Sequence, residues 1–532
     1  MSDFLFKNAT VVDGTGKPPF EADILVEGPV IRQVGRMDGA RAKRTVDAQG
    51  LVVCPGFIDM HCHADFSLPI VPSADSLVHQ GITTAVVGQC GLSPAPLPQS
   101  NREEVIVGLS AILSEVEEEI PWSEWSSFGD YLLFLRRLGV SLNVVPLVGQ
   151  GTIRSGIMGF REGRASEEQM KGMQEEAAKA IQQGAWGLST GLIYPPGSYA
   201  STDELKELMQ VVAREGGFYF SHIRGESETL VEAVAEAIRI GRETGASVQI
   251  SHFKAAGRQN WGESKKALAL IDQACKEGLD VYTDMYPYTA GSTTLVAFLP
   301  EWAQEGGKEA VLGRLSDSAI RIKMTEDMMK GGFAKSVEWD TVLITGSPRK
   351  PEYQGLLVSD LAARVGKTAH VWIFDALLET NLQIHIALFA MSEDNRKREI
   401  RHPLMTFCTD GMGFTAMGSL PRSLTHPRSY GAFPRILSHY VREEGILSLE
   451  EAVHKMSGLA AKRLNLKDRG LIKPGTAADL VVFDPVKVRD RATYDNPHQY
   501  AEGILEVIVN GEPVIHEGSH TGSRPGRILN RL

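Results

Sequence analysis

Short apolar runs broken by turn residues open the chain. Leu5 to Val12, Ala22 to Val26 and Val30 to Val34 are separated by turns such as Asp13-Gly14-Thr15-Gly16, which predicts short strands. The far end has the same texture: Ala478 to Phe483, Ile504 to Val509, then Asn510-Gly511 as a hairpin turn ahead of Pro513-Val514-Ile515-His516. Neither end has enough strands to bury a face alone. Together they predict one small β-sandwich domain from residues 1–54 and 470–532.

The middle, residues 55–469, alternates strand and helix patterns. Strands are predicted at Phe57 to His61, Ile82 to Val87, Leu142 to Val148, Trp186 to Thr190, Phe218 to His222, Val248 to His252, Asp280 to Asp284 and Leu404 to Thr409. Helical spacing of apolar residues marks Glu167 to Gln183, Thr202 to Arg214, Glu226 to Thr244 and Ser264 to Glu277. Eight strands with crossover helices predict an α/β fold, a (β/α)8 TIM-like barrel. Ala369 to Phe374 and Leu382 to Phe389 also read as strand-like. The last two barrel strands lie about 120 residues apart, far more than a helix and two loops require, so an insertion is expected there, with a lid at about residues 289–350.

Candidate chemistry sits at the strand ends. In Gly56-Phe57-Ile58-Asp59-Met60-His61-Cys62-His63, two histidines one residue apart share a face of an extended chain. Cys90, His222, His252, Asp284 and Asp410 each fall at or just past the end of another predicted strand. Taken singly, Cys90 reads as an inert core cysteine and Asp410 as the start of an Asp-Gly turn. In a barrel, however, the carboxyl ends of the strands converge on one site. Four histidines, a thiolate and a carboxylate there suit zinc better than magnesium or calcium.

Composition narrows the partners. The 532 residues carry a net charge of −11, which disfavours a phosphate-binding surface, and no apolar run is long enough to span a membrane. Five cysteines without CxxC spacing suit a reducing compartment, and the amino terminus lacks an export-signal pattern, so a cytoplasmic protein is expected. The partner expected is a small-molecule substrate, with no nucleic acid and no membrane. Assembly into a homo-oligomer stays open.

The Gly-Phe-Ile-Asp-Met-His-Cys-His run, the closing Gly470-Leu471-Ile472-Lys473-Pro474-Gly475-Thr476-Ala477-Ala478-Asp479-Leu480 and the two-ended β-domain resemble the amidohydrolase superfamily. Gln89-Cys90-Gly91-Leu92-Ser93, Gly187 to Tyr194, Ser251-His252-Phe253-Lys254 and His426-Pro427-Arg428 resemble its N-acyl-D-amino-acid deacylases, the D-aminoacylases. That resemblance implies zinc-dependent hydrolysis of the amide of N-acyl-D-amino acids. It implies a tight zinc on Cys90, His222 and His252, with His61, His63 and Asp410 framing a second, weaker position. It casts Asp410 as general base and then acid, Tyr194 as donor to the carbonyl oxygen, and Lys254, Tyr286 and Arg428 as holders of the α-carboxylate. Arg224 reads equally well as a binding residue or a structural ion pair.

Two departures from the family pattern stand out. The loop from Asp410 to His426 looks longer and more apolar than usual, and the stretch after Tyr288 lacks the arginine of acidic-substrate members. Neutral or hydrophobic D-side chains are therefore expected. The alternatives are a cyclic amidase or lactonase, against which counts the absence of a lysine from the fourth strand, and a metal-free interaction protein, which would have lost ligands.

Overall fold

Eight parallel strands follow the eight apolar runs in the computed structural model, which describes residues 2–113, 119–416 and 423–531. They are β1 (Phe57–Asp59), β2 (Ile82–Val87), β3 (Asn143–Pro146, continued by Val148–Gly149), β4 (Gly187–Gly191), β5 (Phe218–His222), β6 (Val248–Ile250), β7 (Val281–Met285) and β8 (Met405–Phe407). Parallel pairing joins β1 to β2 and β2 to β3. It then runs from β3 through β4, β5, β6 and β7 to β8. The ring closes through main-chain bonds from Met60 N to Phe407 O (3.2 Å) and from Asp410 N to His61 O (2.8 Å). Residues such as Ile82-Thr83-Thr84-Ala85-Val86-Val87 are buried throughout, because a parallel strand is covered on both faces.

Helices return the chain between strands. Glu167–Gln183 buries Met170, Met173, Ala177 and Ile181 and starts at a reciprocal cap between Ser166 and Gln169. Thr202–Arg214, Leu230–Thr244 and Glu263–Lys276 follow β4, β5 and β6. The helix after β5 starts at Leu230, not at Glu226, which leaves Glu226 in the loop at the barrel mouth.

Nine strands from the two ends of the chain form one branched sheet. Val52–Pro55 runs antiparallel to Leu480–Phe483 and so sews the ends together. Phe6, Ile24, Val26, Val53, Leu480, Val482 and Ile508 fill its core.

The insertion is a folded unit. Gly291–Thr294, Val342–Gly346 and His385–Leu388 make an antiparallel sheet with His385–Leu388 in the centre. Leu295, Phe298, Ile344, Trp372, Phe374 and Ile386 belong to a core separate from the barrel's. Its base is tied by Met391 N to Thr289 O (3.1 Å), so the unit runs well past residue 350. Ala369 to Phe374, strand-like in sequence, belongs to the helix Ala369–Glu379. A continuous apolar run does not distinguish the two states. Here Trp372, Ile373, Ala376 and Leu377 make a helical stripe against the insertion core.

Candidate active site

The strand ends bring the predicted ligands together. Cys90 Sγ lies 3.3 Å from His61 Nε2, 3.4 Å from His222 Nδ1 and 3.4 Å from His252 Nε2. Asp410 Oδ1 lies 3.4 Å from both His61 Nε2 and His63 Nε2. Two donor groups result, Cys90 with His222 and His252, and His61, His63, Cys90 and Asp410, each with its ligand atoms within 4.8 Å of one another. Cys90 is common to both. Burial pushes His61 and His222 well below the ordinary imidazole value, so both rings offer lone pairs at neutral pH. Imidazole lone pairs and a thiol converging in a buried pocket are what a soft divalent cation satisfies, and the donor set fits zinc.

The main chain under these residues is strained and held. Cys90, His252 and Asp410 have φ of 55°, 35° and 48°, a left-handed backbone that costs a non-glycine residue on the order of 1 kcal/mol or more. His252 N donates to Asp284 Oδ1 (2.7 Å), whose other oxygen accepts from Gln249 (2.7 Å). Asp59 accepts from Thr409 N (2.9 Å) and His61 N (3.2 Å). Burial pushes the Asp59 carboxyl up to about 7 and the Asp284 carboxyl up to about 6. Asp284, a candidate from its strand-end position, thus bonds the backbone of His252.

Glu226 was not read as a site residue from sequence, and the structure places it at the centre. Its carboxylate accepts from Lys254 Nζ and lies 3.2 Å from His252 Nδ1 and 3.5 Å from His222 Nε2. Burial alone would raise its pKa, but Lys254 and the two histidines hold it well below the carboxylate range. The available signal is spacing: Glu226 follows His222 by four residues in a loop containing Gly225.

The other predicted residues face the same cavity of about 180 Å³: Tyr194, Lys254, Tyr286 and Arg428. The Tyr286 ring has Lys254 Nζ at 5.8 Å and the Arg428 guanidinium at 4.7 Å. Arg428 NH1 lies 2.8 Å from Asp410 Oδ2, and Arg428 Nε is buried without a hydrogen-bond partner. Burial opposes ionisation of Asp410, yet Arg428 and the neighbouring histidines hold its carboxyl well below the usual range. Tyr194 shares a hydrogen bond with Thr293 of the insertion (3.0 Å), and burial pushes its phenol well above 10. Arg224 instead pairs with Glu236 (3.0 Å) and donates to the Ser198 and Ala200 carbonyls (each 2.8 Å). In the 410–426 loop, residues 417–422 lie outside the described residues.

Two donor groups sharing one thiol at the mouth of a (β/α)8 barrel define a metal-dependent hydrolase site. The chain belongs to the amidohydrolase family, whose profile matches residues 44–515. It is 36% identical over 532 residues to the D-aminoacylase of Alcaligenes xylosoxydans xylosoxydans, covering 99% of this chain and 98% of that one. It is 36% identical over 530 residues to the N-acyl-D-aspartate deacylase of the same organism, covering 99% and 95%. The crystal structure of N-acyl-D-glutamate deacylase from Bordetella bronchiseptica, complexed with zinc and a phosphonate mimic of the tetrahedral intermediate, matches with a TM-score of 0.84. Its sequence identity is 34%, and each chain is covered in full.

Proposed function

We propose that this chain hydrolyses N-acyl-D-amino acids, with neutral or hydrophobic side chains preferred over acidic ones, to a carboxylate and a free D-amino acid. The observation that carries this reading is the Arg428 Nε donor, buried and unpartnered in the cavity that also holds the thiol–histidine cluster. Cys90, His222 and His252 would hold the tight zinc, and His61, His63 and Asp410 would frame the weaker position. When bound, zinc supplies Lewis acidity, polarising a carbonyl and acidifying water.

The chain's own groups supply the rest. Asp410, kept ionised beside Arg428, takes the proton of the attacking water and delivers it to the departing amide nitrogen. Tyr194, kept protonated by burial, donates to the acyl oxygen as negative charge develops there. Arg428, Lys254 and the Tyr286 hydroxyl hold the α-carboxylate in a cationic fork.

Both cavity cations face a carboxylate already, Lys254 with Glu226 and Arg428 with Asp410. Among the described residues the insertion side adds Thr293, Phe333, His385, Leu388 and Met391, no lysine and no arginine, and burial pushes His385 down to about 4. Among the described residues a second, side-chain carboxylate finds no free counter-ion there. Release of D-methionine from N-acetyl-D-methionine faster than of D-glutamate from N-acetyl-D-glutamate is expected. Preference for the D-glutamate or D-aspartate substrate would overturn the side-chain reading.

A further inference from the structure

A second chamber of about 440 Å³ adjoins the active-site cavity, between the loops after β4 and β5 and the insertion segments 297–304 and 327–333. Ile193, Glu226 and Phe333 line both spaces. Leu192, Phe298, Leu299, Trp302 and Met328 give it apolar walls. Among the described residues four carboxylates, Glu226, Glu228, Glu301 and Asp327, line it against one cation, Arg224.

Most of those charges are spoken for. Lys254 engages Glu226, Lys335 lies 2.8 Å from Glu228, and Arg224 is held by Glu236. Among the described residues Glu301 and Asp327 have no ion pair, and the Asp327 carboxylate accepts only from Trp302 Nε1 (3.0 Å). A further acceptor waits in the wall. Ser198 is 8% exposed, and its buried Oγ has no hydrogen-bond partner.

We infer that this chamber receives a flexible apolar stem ending in a cation, carried by the amide substrate. The inference rests on the deacylase reading and extends it from neutral to cationic substrates. The apolar wall takes the methylenes, as it does for the stem of a lysine or arginine. Glu301, Asp327 and Ser198 take the charged end. Two parts of a substrate could supply that stem, the D-amino-acid side chain or an ω-amino acyl group.

The test compares kcat/KM on the zinc-loaded, full-length protein for charged and neutral partners of equal length. Nα-acetyl-D-lysine is set against N-acetyl-D-norleucine, and 6-aminohexanoyl-D-leucine against hexanoyl-D-leucine. At least one charged substrate should exceed its neutral partner by about fivefold, as two partly exposed charge contacts allow. That ratio should shrink with added salt and fall towards one in the Glu301→Gln/Asp327→Asn double variant. Phe333→Trp, which narrows the junction, should lower turnover of the long substrate relative to a short one in the series that responds, N-acetyl-D-norleucine against N-acetyl-D-alanine or hexanoyl-D-leucine against acetyl-D-leucine. The pair that responds identifies which end of the substrate enters. Charged substrates no better than neutral ones in both pairs, or an advantage that survives the double variant, would overturn the inference while leaving the deacylase reading in place. Loss of turnover on every D-amide would overturn that reading and this one with it.

Discussion

At the floor of the cavity the reactive side chains stand on the ends of barrel strands, while at its roof the lining comes from an insertion that folds around a core of its own. The floor residues Cys90, His252 and Asp410 sit on left-handed backbone pinned by Asp59, Asp284 and the neighbouring strands. The roof residues Thr293, Phe333, His385 and Leu388 hang from the three-stranded sheet and its helices, packed on Trp372, Phe374 and Ile386. The contrast teaches a division of labour. The groups proposed to break the bond occupy the frame that fixes positions best, and the surfaces proposed to meet the variable parts of a substrate belong to a unit that can change without disturbing that frame.

Four substitutions would break or sharpen this contrast. Cys90→Ala removes the ligand common to both donor groups. Zinc content, measured on the purified protein, should fall towards nil and turnover with it; full zinc occupancy would separate the cluster from metal binding. Asp410→Asn should retain most of the tight zinc while lowering kcat by about 10²–10⁴-fold, the usual loss on removing an acid–base group. Unchanged turnover would remove Asp410 from proton transfer. Glu226→Gln should weaken zinc affinity by about 10–100-fold, as outer partners of metal-binding histidines do, which a chelator titration measures. On the roof, Trp372→Ala should cost about 3–5 kcal/mol of local stability by opening a cavity. Hydrogen exchange should then rise across residues 291–391 and KM should rise, with zinc content unchanged. Equal loss of zinc would show that floor and roof are not independent.

The floor was the more legible region in sequence. A histidine, cysteine or aspartate closing a β-rich run needs only the barrel's geometry to reach the site, and His61, His63, Cys90, His222, His252 and Asp410 all arrive there. Asp284 falls at such a position too, but its carboxylate bonds the His252 amide, a choice of partner that spacing does not encode. Glu226 escaped because the helical spacing through Leu230 extends back over it, while the chain remains a loop until Leu230. The roof was harder to read. Its strands Gly291–Thr294 and His385–Leu388 pair across about ninety residues, and no local pattern announces so distant a partner. The run at Ala369 is apolar enough for either state, and packing on the insertion core made it a helix.

The most direct test of the account is hydrolysis of matched N-acetyl-D and N-acetyl-L amino-acid panels by zinc-reconstituted protein, with metal content measured on the same sample. The account predicts turnover of D-enantiomers alone, rising with zinc occupancy and strongest for neutral and hydrophobic side chains within the uncharged and acidic members. Zinc bound without turnover of any D-amide, or turnover of the L-series at comparable rates, would contradict it.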